Sequence, residues 1–308
     1  MRRFFGSLLF ILLLAACSSA PPDTGEVLER KNQAAEYASL GNTYYQRGDY
    51  ARALQMFHLA LETNIAVDNE AGLVGSYNSI GKVYLASGEL DAAEHYFSRA
   101  LTLSRSLENP LLIASSLNNL AEMHLASGPG EVEQARLLLE EALGQLEQET
   151  PDLHTSVLLH NLGAVYKRNG DYALAADYLA RALAINLEQK QFAEAAGNYY
   201  LIASLHSKRG DYAGAVESAR LALEYDKKVE NSPGIAEDLL ALGIIHLKAG
   251  EHEQAYGALK KANAVFGSIS STPGVRRVLP LLITACENTG RVSEAEEYKR
   301  LAEELADR

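Results

Sequence analysis

Tryptophan is absent from this chain, and cysteine nearly so, with two in 308 residues. Two cysteines cannot supply a disulfide framework, so the fold has to rest on packing. After residue 17 no stretch reaches the roughly 20 consecutive apolar residues that a membrane span requires. Positive charge is in deficit, with 28 Lys plus Arg against 40 Asp plus Glu, a balance that repels phosphate backbones and argues against nucleic acid as a partner. No Gly-rich phosphate loop, His-Glu-x-x-His or Cys-x-x-Cys occurs. What remains, 47% hydrophobic and 22% charged residues, is the composition of an ordinary folded protein.

The first residues are organised differently from the rest. Met1-Arg2-Arg3 precedes an apolar run from Phe4 to Leu14, and Leu14-Ala15-Ala16-Cys17-Ser18-Ser19 follows. A basic start, a short apolar core and small residues at the end make a secretory signal peptide over 1–16, to be excluded from the fold. Leu-Ala-Ala-Cys also resembles the lipobox of bacterial lipoproteins. That resemblance implies cleavage before Cys17, diacylglycerol on its thiol, and an envelope location. Residues 17–25 are then a lipidated terminus and short tether, and the mature chain carries 26 basic against 40 acidic residues, net −14. Acyl chains bury methylenes at about 0.8 kcal/mol each, so a multiply acylated cysteine anchors without a transmembrane helix. Ser18 and Ser19, with no Asp after Cys17, resemble a signal for release to the outer membrane, with the body facing the periplasm.

From residue 26 onward the chain repeats. Tyr37, Leu40, Gly41, Tyr44, Gly48, Ala53, Phe57 and Ala60 recur with identical spacing as Tyr77, Ile80, Gly81, Tyr84, Gly88, Ala93, Phe97 and Ala100. The small landmark recurs at Gly41, Gly81, Ala121, Gly163, Ala203 and Gly243, every 40 residues except for one interval of 42. Gly128-Pro129-Gly130 accounts for the exception by lengthening one turn. Apolar anchors three and four apart predict helices that bury one face, and paired helices flanking a Gly-containing turn predict hairpins. The segments fall near 34–66, 67–107, 108–148, 151–190, 191–230, 232–270 and a weaker 272–308. Asn109-Pro110, Thr150-Pro151, Ser232-Pro233 and Thr272-Pro273 each predict a helix start, with a capping residue before a proline at the first helical position.

The recurring pattern, Tyr or Leu, then Leu-Gly, Tyr, Gly-Asp-Tyr, Ala, Phe and Ala, is similar to the tetratricopeptide repeat in a long, 40-residue form. The resemblance implies an all-α, right-handed superhelical solenoid of hairpins over 26–308, with first helices lining a concave groove and the charged segment from Ser293 as a cap.

No constellation of catalytic type emerges. His124, His206 and His246 take the slot of Tyr44, Tyr84 and Tyr166, one per repeat, and read as packing residues; Cys286 reads as a buried structural thiol. Neither a metal nor another cofactor is expected, and no enzymatic activity. Helical geometry places the face opposite the anchors at Asn42, Tyr45 and Gln46, then Asn78 and Lys82, Asn118 and Glu122, His160, Lys167 and Arg168, Tyr200, Ser204 and Lys208, with Asn119 and Asn161 one residue aside. Further on, the stripe turns apolar at Leu240, Ile244 and Leu247. Amides donate and accept at once, so a ladder of them suits the backbone of an extended peptide, while Lys82, Lys167 and Arg168 suit an acidic group. The alternative reading of the same asparagines is as solvated helix residues or as bridges between neighbouring helices. The expected function is a membrane-anchored, non-catalytic scaffold that binds an envelope protein or peptide. The alternative is a small-molecule-binding accessory subunit of an envelope transport system.

Overall fold

The computed structural model describes residues 24–146 and 151–306. Cys17, the signal segment and Thr150 lie outside them. The described residues form α-helices and one short 3-10 turn, with no strand. In chain order the helices are α1 (Thr24–Gln46), α2 (Tyr50–Ala66), α3 (Glu70–Ser87), α4 (Leu90–Ser106), α5 (Pro110–Ser127), α6 (Val132–Gln145) and α7 (Leu153–Asn169). They continue as α8 (Tyr172–Glu188), α9 (Phe192–Lys208), α10 (Tyr212–Lys228), α11 (Ser232–Lys248), α12 (His252–Ser268), α13 (Thr272–Asn288) and α14 (Val292–Ala306). The fold is all-α, as the periodicity predicts. No described helix is long and apolar enough to cross a membrane.

Two compact units divide the chain, residues 1–76 and 77–308, with the boundary inside α3. In the first unit α1 packs on α2: a Cβ placed on Gly41 would lie 2.6 Å from the Phe57 ring, so only glycine lets the two helices approach that closely. In the second unit the landmark works the same way, with Gly81 against Phe97, Gly163 against Leu179 and Gly243 against Leu259. All four facing side chains are fully buried. Where the landmark is Ala203, the residue in the facing position is also small, Ala219, and both are buried.

Hairpin turns are closed by glycines with positive φ at 48, 88, 170, 210, 250 and 290, where the missing side chain makes the left-handed region accessible. The turns between hairpins use non-glycine residues in that region: Asp68, Glu108, Lys190, Glu230 and Ser270. Helix starts differ from the sequence expectation at three of the four prolines. Asn109 caps α5 with Pro110 first in the helix, as expected. At α11 and α13, however, the caps are Asn231 and Ser271, one residue earlier, so Ser232 and Thr272 are helical. At α7 the cap is Asp152, whose carboxylate accepts from Thr155 N–H, and Pro151 lies outside the helix. In each case a neighbouring Asn, Ser or Asp side chain reaches the free N–H groups of the first turn.

Within the second unit the odd-numbered helices form a continuous layer, in which α5 touches α7, α7 touches α9, α9 touches α11 and α11 touches α13. The even-numbered helices there touch only their sequence neighbours. Any surface shared by several repeats therefore lies on the odd helices.

Candidate functional site: the odd-helix face of residues 77–308

Each junction between repeats is built from a side chain near the end of an even helix and one twelve residues later on the next odd helix. The pairs are Asn64 and Ser76 in the first unit, then Ser104 and Ser116, Leu146 and Leu158, Asn186 and Asn198, Asp226 and Asp238, and Phe266 and Val278 in the second, all buried. In every pair both members are polar or both apolar. Asn64 Nδ2 donates to Ser76 Oγ at 3.2 Å, and the Ser104 and Ser116 hydroxyls lie 3.2 Å apart. A buried polar group without a partner costs about 1–3 kcal/mol, which explains why the two positions change character together.

The stripe residues meet these junctions. Asn78 is buried and its Nδ2 donates to Ser116 Oγ at 3.2 Å. His160 Nδ1 pairs with Asn198 Oδ1 at 2.8 Å, and burial depresses the imidazole pKa against the raising effect of that hydrogen bond. Asn161 Nδ2 donates to Asn118 Oδ1 at 2.7 Å, while Asn118 Nδ2 donates to Glu122 Oε1 at 2.8 Å, joining α5 to α7. Lys167 Nζ reaches Ser204 Oγ at 3.3 Å, and its pKa is lowered, first by burial and then by the charge of Lys208. Arg168 donates to the Leu125 carbonyl. Much of the amide ladder is thus engaged in holding odd helices together. Lys82 is exposed. Asn42 is exposed in the first unit, and the half-buried Tyr45 has its ring 6.0 Å from that of Tyr50. Leu240 is buried in the apolar cluster of α11 to α13, with Ile244 and Leu247 against it.

Two clefts open on this face. The first, about 250 Å³, is lined by Lys82, Ser115, Asn118, Asn119, His154 and Val157. Asn119 is 2% exposed and its Nδ2 has no hydrogen-bond partner among the described residues. The second, about 440 Å³, is lined by Tyr200, Asp226, Asn231, Glu237, Asp238 and Arg277. Burial and the charges of Glu237 and Asp238 raise the Tyr200 pKa, although Arg277 acts against them. Sequence reading places Lys82, Asn118, Asn119 and Tyr200 on this face but passes over Ser115, His154, Asp226, Asp238 and Arg277. Its overlooked signal is the polar residue four after the second-helix alanine, at Asn64, Ser104, Asn186 and Asp226.

The histidines in the tyrosine slot turn to acids across the hairpin: His124 to Glu131, His206 to Asp211 at 2.7 Å and His246 to Glu251 at 2.6 Å. No group of three or more His, Cys, Asp or Glu side chains among the described residues is arranged to hold a metal ion. Cys286 is fully buried, and burial pushes its thiol pKa up.

A sequence profile of the tetratricopeptide repeat matches residues 32–106, 72–148 and 112–188, and a second profile of the same description matches 196–229. No curated protein matches the sequence. Among solved structures, aspartyl phosphate phosphatase F from Bacillus subtilis is 17% identical, with a TM-score of 0.66 over 91% of this chain and 72% of its own. A Rap protein complexed with Competence and Sporulation Factor is 18% identical, with a TM-score of 0.60 over 94% of this chain and 80% of its own. PilW, a type IV pilus biogenesis factor, is 20% identical, with a TM-score of 0.55 over 80% and 98%. At these identities the likeness is one of fold. The repeat profiles span well over half the sequence, and the chain belongs to the tetratricopeptide repeat family.

Proposed function

We propose that this protein is a non-catalytic adaptor of the bacterial envelope, held to the membrane through lipid on Cys17, that binds an extended segment of a partner protein along its odd helices. The observation that carries the binding role is the first cleft. Asn119 Nδ2 is a buried donor with no partner among the described residues, and the exposed Lys82 ammonium stands at the same cleft. An acidic side chain or terminal carboxylate would accept from the amide and neutralise the lysine, removing the penalty of an orphaned donor. Repeat proteins present such clefts in series, so a chain lying across several gains affinity from each. Among proteins of similar fold, a Rap protein is complexed with Competence and Sporulation Factor, which accords with a binding role for this fold here.

The test is photo-crosslinking in native envelopes, with the crosslinker at Ser115, comparing the natural sequence with Lys82→Gln and Cys17→Ser. A defined partner that is captured by the natural sequence, weakened by Lys82→Gln and lost from the membrane fraction with Cys17→Ser is the expected result. Capture indifferent to Lys82 would remove the acidic-group reading, and membrane retention without Cys17 would remove the lipid anchor.

A further inference from the structure

The second cleft has the opposite electrical character from the first. Glu237 is already answered, because Arg277 clamps it with two hydrogen bonds of 2.6 and 2.9 Å. The Asp226 and Asp238 pair has no such cation among the described residues. Asp226 accepts from Asn231 Nδ2 at 2.9 Å, and the Asp226 and Asp238 carboxyls are close enough to act on each other. Oδ2 of Asp238, on a residue only 2% exposed, receives no donor among the described residues. One proton can be shared between the two carboxyls, which leaves a net negative charge at the base of the cleft. The residues above it are small: Ala193, Ala196 and Gly197 on α9 help to line the cleft. Gly234 leaves the carboxylate room, since a Cβ there would lie 1.9 Å from Asp226 Oδ2. Tyr200 adds a phenol oxygen on the same wall.

Serine, asparagine or apolar pairs fill this junction slot elsewhere without net charge. Asn186 and Asn198 occupy the corresponding positions one repeat earlier, so packing alone does not require carboxyls here. Buried charge without a counter-ion is costly, and supplying the ion recovers that cost. We propose that this cleft receives the cationic side chain of a partner peptide, a lysine or an arginine, on the Asp226 and Asp238 carboxyls. The proposal rests on the reading that an extended partner lies along the odd helices, and it gives that partner a polarity: an acidic group at Lys82 and a basic one further along, at α9 and α11.

The test uses three pentapeptides, Ser-Ser-Lys-Ser-Ser, its arginine counterpart and its Nε-acetyllysine counterpart, titrated into the protein while the Gly197 and Gly234 amide resonances are followed. The lysine and arginine peptides are expected to give saturable shifts at both glycines. The acetyllysine peptide should bind about tenfold more weakly or worse, as should the lysine peptide with the Asp226→Asn and Asp238→Asn double variant, whose helicity serves as the control. Equal shifts from acetyllysine, or undiminished binding by the double variant, would overturn the proposal, and the first comparison needs no variant to fold. Lys82→Gln separates the two readings. Cation binding here should survive it while acidic-partner capture weakens; in the natural sequence, lysine-peptide binding with no acidic-partner capture refutes the first cleft alone, and the reverse refutes this one.

Discussion

Asp238 shows how a single side chain in a repeated slot changes what the slot does. In its junction position the other repeats hold serine, asparagine, leucine or valine. Here burial, joined by the charge of Asp226, holds the Asp238 carboxyl protonated up to about 8, against an ordinary value of 3.8. Burial also raises the pKa of Asp226 itself. The folded protein therefore keeps a proton that the unfolded chain has released by about pH 4, which fixes the sign of the linkage. Stability from this group is fully present below about pH 4 and is lost as the pH climbs towards about 8. The Asp226→Asn and Asp238→Asn double variant has nothing to titrate there. Its melting temperature should gain on that of the natural sequence between about pH 5 and about pH 8.5, by the equivalent of a few kcal/mol. Parallel melting curves across that range would contradict a buried, proton-sharing pair.

At the scale of the helix, most of the architecture is visible in the sequence because it follows from spacing. The 40-residue interval locates the hairpins, and the glycines at 41, 81, 163 and 243 are legible because a small residue at a helix crossing has one evident use. The junction pairs are harder to see. Asn78, Asn118 and Asp238 look like solvent-facing polar residues when only the apolar anchors are counted, yet they are buried where one odd helix meets the next. Helix starts fail for a local reason: asparagine, serine and aspartate stand side by side with the proline, and the sequence does not rank the competing caps. Nor does periodicity flag Pro280, which lies inside α13 on an exposed position, without ending the helix. Its ring cannot donate to the Arg276 carbonyl four residues back, a defect of about 3 kcal/mol in an ordinary helix interior. Packing of α13 against α12 and α14 overrides that loss. Pro280→Ala should restore the missing bond and stabilise the protein by about 1–3 kcal/mol in urea unfolding. A neutral or destabilising result would mean that the proline's rigidity in the unfolded chain outweighs the hydrogen bond.

Across the molecule, stability in the second unit is assembled from contacts between adjacent helices and between successive odd ones, so it resembles a chain of coupled neighbours more than a single core. A terminal helix then has support on one side only. Helix α14 contacts α13, and its ties include Lys299 to Glu287 at 3.0 Å and the Tyr256 hydroxyl to Glu294. The exposed ion pair is worth about 0–1 kcal/mol, and apolar support comes from Ala295, which is buried, and Tyr298, which packs against the apolar cluster of α11 to α13. Opening of α14 should accordingly take less free energy than opening of α9 or α11, which are flanked on both sides. Cys286 reports on this directly. It is fully buried near the end of α13, and burial raises its pKa, so in the intact chain it should resist a thiol reagent. Ending the chain after Arg291 removes α14 and should speed labelling at Cys286 about a hundredfold or more, by analogy with loss of 3 kcal/mol of local protection. The measurement is the labelling rate at that residue by mass spectrometry, with helicity of the shortened chain followed in parallel. If the rate hardly changes while the remaining helices persist, α12 and α13 alone bury the thiol and α14 is not the cap of the array.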